Sequence, residues 1–227
     1  MNILGRIFGK YHDKWAWQRF NFFIENIKLN HGDTILDLGG GTGSYMDRFG
    51  SQLNNYNIII SDIDQNALRV AESKGYKIMR IDGSNQKLPF ADKEIDCIFC
   101  NSVIEHVTIP KDKLWSEHSI SEEFFNISFE YQKHFASEIK RCSKKYYVQT
   151  PHKYYPVEAH TWFPFVSYFN RRTQVKMVNL LNKFWVKKTN PDWNLLTEKE
   201  MKLLFPDAEI IVNKKLGFKK EIIAIYK

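Results

Sequence analysis

The chain has 227 residues, 43% of them hydrophobic, and carries 33 Lys+Arg against 26 Asp+Glu for a net charge of +7. That length suits one α/β domain with a sizeable core and an insertion, over residues 1–227, and leaves little room for a second independent domain. No run approaches the roughly 20 consecutive apolar residues that cross a bilayer. Residues 1–14 lack the apolar core and cleavage site of a signal peptide, and three scattered cysteines, Cys97, Cys100 and Cys142, exclude a disulfide framework. A cytoplasmic protein is the expectation. The positive charge fits either an acidic partner, such as nucleic acid or an anionic membrane, or a lysine-biased surface. The lysines are spread along the chain without a basic block, which favours the second reading.

Taken in chain order, residues 11–29 interleave Trp15, Trp17, Phe20, Phe22, Phe23 and Ile27 with basic groups. They predict one or two amphipathic helices, part of a helical cap over residues 1–30. A first strand at Thr34–Leu38 ends in glycines, and a helix is expected from Ser44 to Leu53. A second strand covers Asn57–Asp62, a second helix Gln65–Lys74, a third strand Lys77–Ile81 and a fourth Ile95–Cys100. Cys97 and Cys100 read as a CxxC pair, but residues three apart in a strand point to opposite faces, so two buried thiols are expected. Helical spacing over Ser121–Cys142 leads to a fifth strand at Lys145–Gln149. Residues 151–193, rich in aromatics and Lys/Arg, are too long for a bare loop and predict a helix from Phe165 to Trp185. Thr197 and Glu200 form a capping-box pattern, and two strands close the chain near 208–212 and 221–226. Strands alternating with helices imply a mostly parallel sheet covered on both faces.

The chemistry-bearing residues cluster at the ends of these strands. In Asp37-Leu-Gly-Gly-Gly-Thr-Gly43, Gly39, Gly41 and Gly43 allow a tight strand-to-helix turn and close approach of a ligand. The dinucleotide fingerprint G-x-G-x-x-G would require glycine at Ser44. A carboxylate at position 37 repels a diphosphate and attracts an ammonium, which favours a ligand carrying an amino acid. Asp62 ends the second strand at the distance from the glycines where an acid accepts from ribose hydroxyls; the other reading, a helix N-cap, applies equally to Asp64. Asp82-Gly83 after the third strand is either a common turn or the reader of an adenine edge.

This set, with Leu88-Pro-Phe90, Asp96-Cys-Ile98 and Asn101-Ser-Val-Ile-Glu-His106, resembles the class I S-adenosylmethionine (SAM)-dependent methyltransferases. It is most similar to the small-molecule branch that includes quinone-pathway enzymes and, more loosely, surface-polysaccharide enzymes. The resemblance covers residues 33–107. It implies a Rossmann-like seven-stranded sheet of order 3-2-1-4-5-7-6 with one antiparallel strand, and SAM as cofactor. Asp37 and Gly39–Gly43 would line the methionine moiety, Asp62 hold the ribose, Ile63 pack on adenine, and Asp82 with Gly83 read its edge. Asn101 would lie near the transferred methyl. Glu105 and His106 would serve catalysis or hold the adjacent loop. Metal-using members carry a further acid one turn earlier, where this chain has Ser102, so no metal is expected. Glu158 and His160, in Pro156-Val-Glu-Ala-His160-Thr, sit among aromatics, and His160 is either a base or a satisfied core histidine.

The resulting expectation is methyl transfer to a hydroxyl oxygen of a small-molecule or lipid-linked acceptor, with residues 151–193 as lid and peripheral membrane contact from its basic face. The alternatives are a nucleic-acid methyltransferase and a catalytically silent SAM-binding scaffold. Nucleic acid is disfavoured as a partner because Asn101 is followed by Ser-Val-Ile rather than Pro-Pro-aromatic, and Cys100 lacks a preceding proline.

Overall fold

The computed structural model describes residues 17–82, 87–110, 113 and 120–227. Seven strands form one sheet: β1 (Thr34–Leu38), β2 (Asn57–Asp62), β3 (Lys77–Arg80), β4 (Ile95–Asn101), β5 (Ser143–Pro151), β6 (Glu209–Lys215) and β7 (Phe218–Tyr226). Their order is 3-2-1-4-5-7-6, as the motif pattern implied. β1 to β5 pair in parallel, and β7 runs antiparallel between β5 and β6. This is the Rossmann-like α/β architecture, and all five parallel strands end at one edge.

The pleat sorts the core onto two faces. Leu36, Ile98, Cys100, Tyr146 and Val148 pack on one side with α4 (Glu123–Cys142) and α6 (Glu198–Leu204). Ile35, Cys97, Phe99 and Tyr147 face the other, against a helix α1 at 17–26, α2 (Ser44–Asp47) and α3 (Gln65–Ser73). Cys97 and Cys100 thus lie in different clusters, fully buried and free, as period-2 alternation requires. The Thr197–Glu200 capping box is present on α6.

Three expectations are corrected. The helix drawn from Ser44 to Leu53 stops at Asp47 and resumes as a single 3-10 turn at Gly50–Leu53, because glycine in a helix interior carries a conformational cost. The helix drawn from Phe165 begins at Arg171 instead: α5 spans Arg171–Phe184, with the Asn170 side chain accepting from the Thr173 N–H. Third, Arg171, counted with the basic lid face, is fully buried, stacked 3.5 Å over Phe124 and donating to the Pro191 carbonyl. In the N-terminal cap, Phe20, Phe23 and Ile27 are buried, while residues 1–16 lie outside the described set.

Arg19 of α1 reaches the buried Glu221 of β7 at 2.6 Å and pins the helix over the parallel strands' carboxyl edge. Burial raises the Glu221 carboxyl, but Arg19 and Asn213 outweigh it and hold it below its usual 4.5. Replacing Arg19 with methionine leaves that carboxylate buried with Asn213 and the charge of Lys220 but without its guanidinium partner, a loss of about 3 kcal/mol at neutral pH. Because the folded pKa is depressed, the pair's contribution is present above pH 4.5 and fades as pH falls. Urea unfolding of both proteins from pH 7 down to 3.5 should show the gap closing; a pH-independent gap would mean lost packing alone.

Candidate active site

The glycine loop is built by the ends of β1 and β2. The N–H groups of Gly39 and Gly40 both donate to the Ser61 carbonyl, at 2.8 and 2.9 Å, and the Gly41 N–H donates to Asp62 Oδ2 at 2.9 Å. Gly39 has φ +81°, and a Cβ there would land inside Val103; Gly41 has φ +55°, and a Cβ there would meet Asp62 Oδ2 at an ordinary 3.8 Å. Gly40 has a different reason, which the sequence reading missed. A side chain at that position would displace the Asp37 carboxylate lying directly against it.

Asp37 is 3% exposed, and its Oδ2 has no hydrogen-bond partner among the described residues. Burial, together with the nearby Asp62 carboxylate, raises its pKa from 3.8 to about 7. The choice between Asp62 and Asp64 as helix cap is decided by geometry. Asp64 accepts from the N–H groups of Asn66 and Ala67 and caps α3, whereas Asp62 faces the glycine loop and the Asp64 N–H. Ile63 beside it is exposed. Asp82 follows β3 and is half-buried; Gly83 lies outside the described residues. Asn101 ends β4, its Oδ1 buried and without a partner among the described residues.

Beyond Asn101 the chain turns through Ser102, at φ +58°, into a 3-10 turn at Ile104–His106. Gln132 of α4 donates to the carbonyls of Ile104 and Asn194, both at 2.9 Å, and the Asn194 N–H donates to the Glu105 carbonyl at 2.7 Å. The turn is thereby clamped between α4 and residues 192–194.

The inserted segment brings a second group to the same place. Glu158, fully buried, accepts from the His160 N–H (2.8 Å), the Thr161 N–H (2.6 Å) and His160 Nδ1 (2.6 Å). Burial raises its carboxyl, yet these donors outweigh burial and hold it low. Trp162 and Phe165, both at positive φ, tighten the loop, and Trp185 and Lys187 donate to the carbonyls of Thr161 and Ala159. His160 stacks on Trp193 and meets His106 edge-on, ring centroids 4.7 Å apart in each case. His106 Nδ1 lies 3.3 Å from Asp192. Glu105, His106 and His160, separated in sequence, form one cluster whose ligand atoms lie within 4.8 Å of one another.

The glycine-loop region and this cluster adjoin each other. Val103 packs at Gly39, two residues before Glu105, and burial raises the Cys100 thiol with further upward pushes from Glu105 and Asp37 on either side. Among the described residues, a further cleft of about 470 Å³ lies at the same sheet edge, between α1 and the β6–β7 hairpin, lined by Arg19, Phe22, Lys214 and Glu221 among others.

A parallel sheet ending in a glycine loop, with acids at the tips of β1 and β2 and an antiparallel β7, defines an α/β architecture whose ligand crevice lies at the carboxyl edge. A family model described as "Methyltransferase domain" matches residues 35–119. The chain is 30% identical over 105 residues to a ubiquinone/menaquinone biosynthesis C-methyltransferase UbiE from Pasteurella multocida, covering 43% of this chain and 38% of that protein. It is 28% identical over 111 residues to the one from Citrobacter koseri, covering 46% and 43%. The chain thus spans less than half the length of these relatives. In fold it is similar to a SAM-dependent methyltransferase from Archaeoglobus fulgidus (TM-score 0.55, 13% identity, 99% of this chain and 100% of that one). It is also similar to one from Aquifex aeolicus (TM-score 0.51, 17% identity, 92% and 88%). Phosphoethanolamine N-methyltransferase 2 from Haemonchus contortus, solved in complex with SAM, shares the fold (TM-score 0.55, 13% identity, 86% and 38%). Residues 35–119 thus resemble a methyltransferase domain, and the chain shares the fold of SAM-dependent methyltransferases.

The two glycines make a quantitative test of the loop. Gly41→Ala should cost only the left-handed backbone term, about 1–2 kcal/mol, whereas Gly39→Ala should add about 1–3 kcal/mol for the forced overlap with Val103. Denaturant midpoints decide it, and equal losses in the two variants would refute the Val103 contact.

Proposed function

We propose that this chain transfers the methyl group of SAM to a hydroxyl oxygen of a small-molecule acceptor at the carboxyl edge of its sheet. Asp37 is the observation that supports the donor assignment most: a buried, unpartnered carboxylate with its pKa raised to about 7, beside a second acid, is the environment that an ammonium-bearing ligand relieves. Around Gly41 the nearest side-chain atom to a Cβ would be Asp62 Oδ2, at 3.8 Å, so the loop backbone is not crowded there. In this reading Asp62 accepts from the ribose hydroxyls, Ile63 covers one face of adenine and Asp82 reads its edge. Asn101 presents its amide near the reacting centre.

SAM, when bound, supplies an electrophilic methyl on a sulfonium, displaced in line by the acceptor. The protein's part is to align the two reactants and exclude water. Glu105, His106 and His160 face the acceptor and activate its hydroxyl, with Glu158 and Asp192 orienting the two rings. A second reading, methylation at carbon, draws support from the relatives' printed activity as C-methyltransferases. Withdrawing a proton from an aromatic hydroxyl makes the ring carbon nucleophilic, so one cluster serves either outcome. Exposed Phe165, Phe169 and Phe184 beside Arg172, Lys176 and Lys183 favour an acceptor presented at a lipid surface, which co-sedimentation with anionic liposomes tests.

Radiolabelled methyl transfer to hydroxylated aromatic and lipid-linked acceptors tests the reaction, and magnetic resonance of the product separates O-methyl from C-methyl. Asp62→Ala should weaken SAM binding at least a hundredfold, about 3 kcal/mol, without unfolding the protein. Retained affinity in calorimetry would remove the ribose assignment. His160→Ala should bind SAM normally yet slow transfer at least tenfold, a barrier increase of about 1.4 kcal/mol.

Asp37 adds a pH signature. Its raised folded pKa means that its contribution to the free protein's stability is present at acid pH and is lost as pH rises through about 7. A cationic ligand reverses this by drawing the carboxyl into its charged form. SAM binding at pH 6 should therefore release a proton, seen as a binding enthalpy that changes with buffer. The Asp37→Asn variant should lose that dependence, and an unchanged dependence would place the ammonium elsewhere.

A further inference from the structure

We propose that Glu105, His106 and His160 bind a first-row divalent transition ion, with Glu158 and Asp192 as the carboxylates that orient the two imidazoles. This goes beyond the methyl-transfer reading, which requires no metal, and departs from the sequence expectation drawn from Ser102. That expectation sought a further acid one turn before Glu105; the third donor comes instead from the inserted segment, 54 positions after His106.

Three observations carry the proposal. The ligand atoms of the three residues already lie within 4.8 Å of one another. Donors about 2.1 Å from a tetrahedral zinc stand roughly 3.4 Å apart, so small side-chain rotations close the site. Glu105 is fully buried, and neither carboxylate oxygen has a hydrogen-bond partner among the described residues. An ionised carboxylate buried without a proton or a cation is strongly disfavoured, and the two imidazoles of the cluster stand within reach of it. Finally, each ring has a carboxylate at Nδ1: Glu158 at 2.6 Å on His160 and Asp192 at 3.3 Å on His106. That arrangement holds a ligating histidine in one tautomer with Nε2 presented to the metal. Two clamped loops converge on this geometry, one through Gln132 and Asn194 and the other through the Glu158 turn.

The donor chemistry selects the ion. Two imidazoles and one carboxylate suit zinc, cobalt or iron(II), whereas magnesium prefers an oxygen shell. His106 is about a third exposed and gives the site an open side, so the ion keeps a free coordination position toward solvent. An acceptor oxygen bound there would be polarised and its proton acidified.

The test uses the full-length, tag-free chain after chelator treatment, titrated with Co²⁺ by calorimetry and visible absorption. One Co²⁺ per chain is expected, with a ligand-field spectrum free of thiolate charge transfer, displaced by Zn²⁺ but not by equimolar Mg²⁺. Glu105→Gln, which keeps the side chain's shape, and His160→Gln should each weaken binding at least a hundredfold. Asp37→Asn should leave it unchanged while impairing SAM binding, so metal and cofactor results are read independently. No saturable Co²⁺ uptake by the wild-type protein, or uptake undiminished in both cluster variants, would overturn the proposal.

Discussion

Asp37 points its carboxylate into the protein at the end of a parallel strand, where β2 on one side and β4 on the other close off solvent. Its neighbour Asp62 is anchored by the Gly41 and Asp64 N–H groups and adds a like charge that a water-poor site screens weakly. A carboxyl in that setting is poised near neutrality. The surrounding glycines follow from the same constraint. Gly40 gives the carboxylate room, Gly39 lets the chain pass Val103, and the pair tie the loop to β2 through Ser61. The free protein thus buries a carboxyl that gains its charge only as pH rises through about 7.

A second group of buried acids follows the same logic on the far side of Cys100. Glu158 is satisfied by three local donors: two backbone N–H groups at one end of its loop and the ring of His160. Glu105 has no such local support. The difference is one of backbone. The Glu158 turn folds its own N–H groups back onto the carboxylate, at the expense of two residues in the left-handed region. The 3-10 turn at Glu105 directs its backbone groups toward Asn194 and Val103 instead. One carboxylate is therefore tied into its own loop and the other is left without a hydrogen-bond partner among the described residues, although both are buried.

The inserted segment ties these parts together. Arg171, at the start of α5, stacks on Phe124 of α4 and holds the Pro191 carbonyl, immediately before Asp192 and Trp193. Trp193 then stacks on His160 while Asp192 meets His106. Trp185 and Lys187 beyond the other end of the helix clamp the Glu158 loop. A lid helix with its ends fixed in this way positions both histidines against β4 without belonging to the sheet. The exposed aromatics on its outer surface remain available for contact with an acceptor or a surface.

The architecture and the strand-end positions of the acidic residues were legible in the sequence, because they depend on local rules. Period-2 apolar runs mark strands, a glycine run after a strand marks a tight turn, and Asp37, Asp62 and Asp82 each stand at a strand end. The same local rules placed Cys97 and Cys100 on opposite faces. What depended on contacts between distant segments was not legible. Gly40 is needed because of a side chain three residues away that folds back on it, and Asp64 rather than Asp62 caps α3 because Asp62 is drawn to the glycine loop. Arg171 looked like surface charge until Phe124 and Pro191 enclosed it. Most of all, the meeting of Glu105 and His106 with His160 arises from the packing of residues 151–193 over the end of β4. No periodicity in the sequence encodes a contact across 54 positions; the hydrogen bonds and stacking that bring those rings together exist only once both loops are clamped in the folded chain.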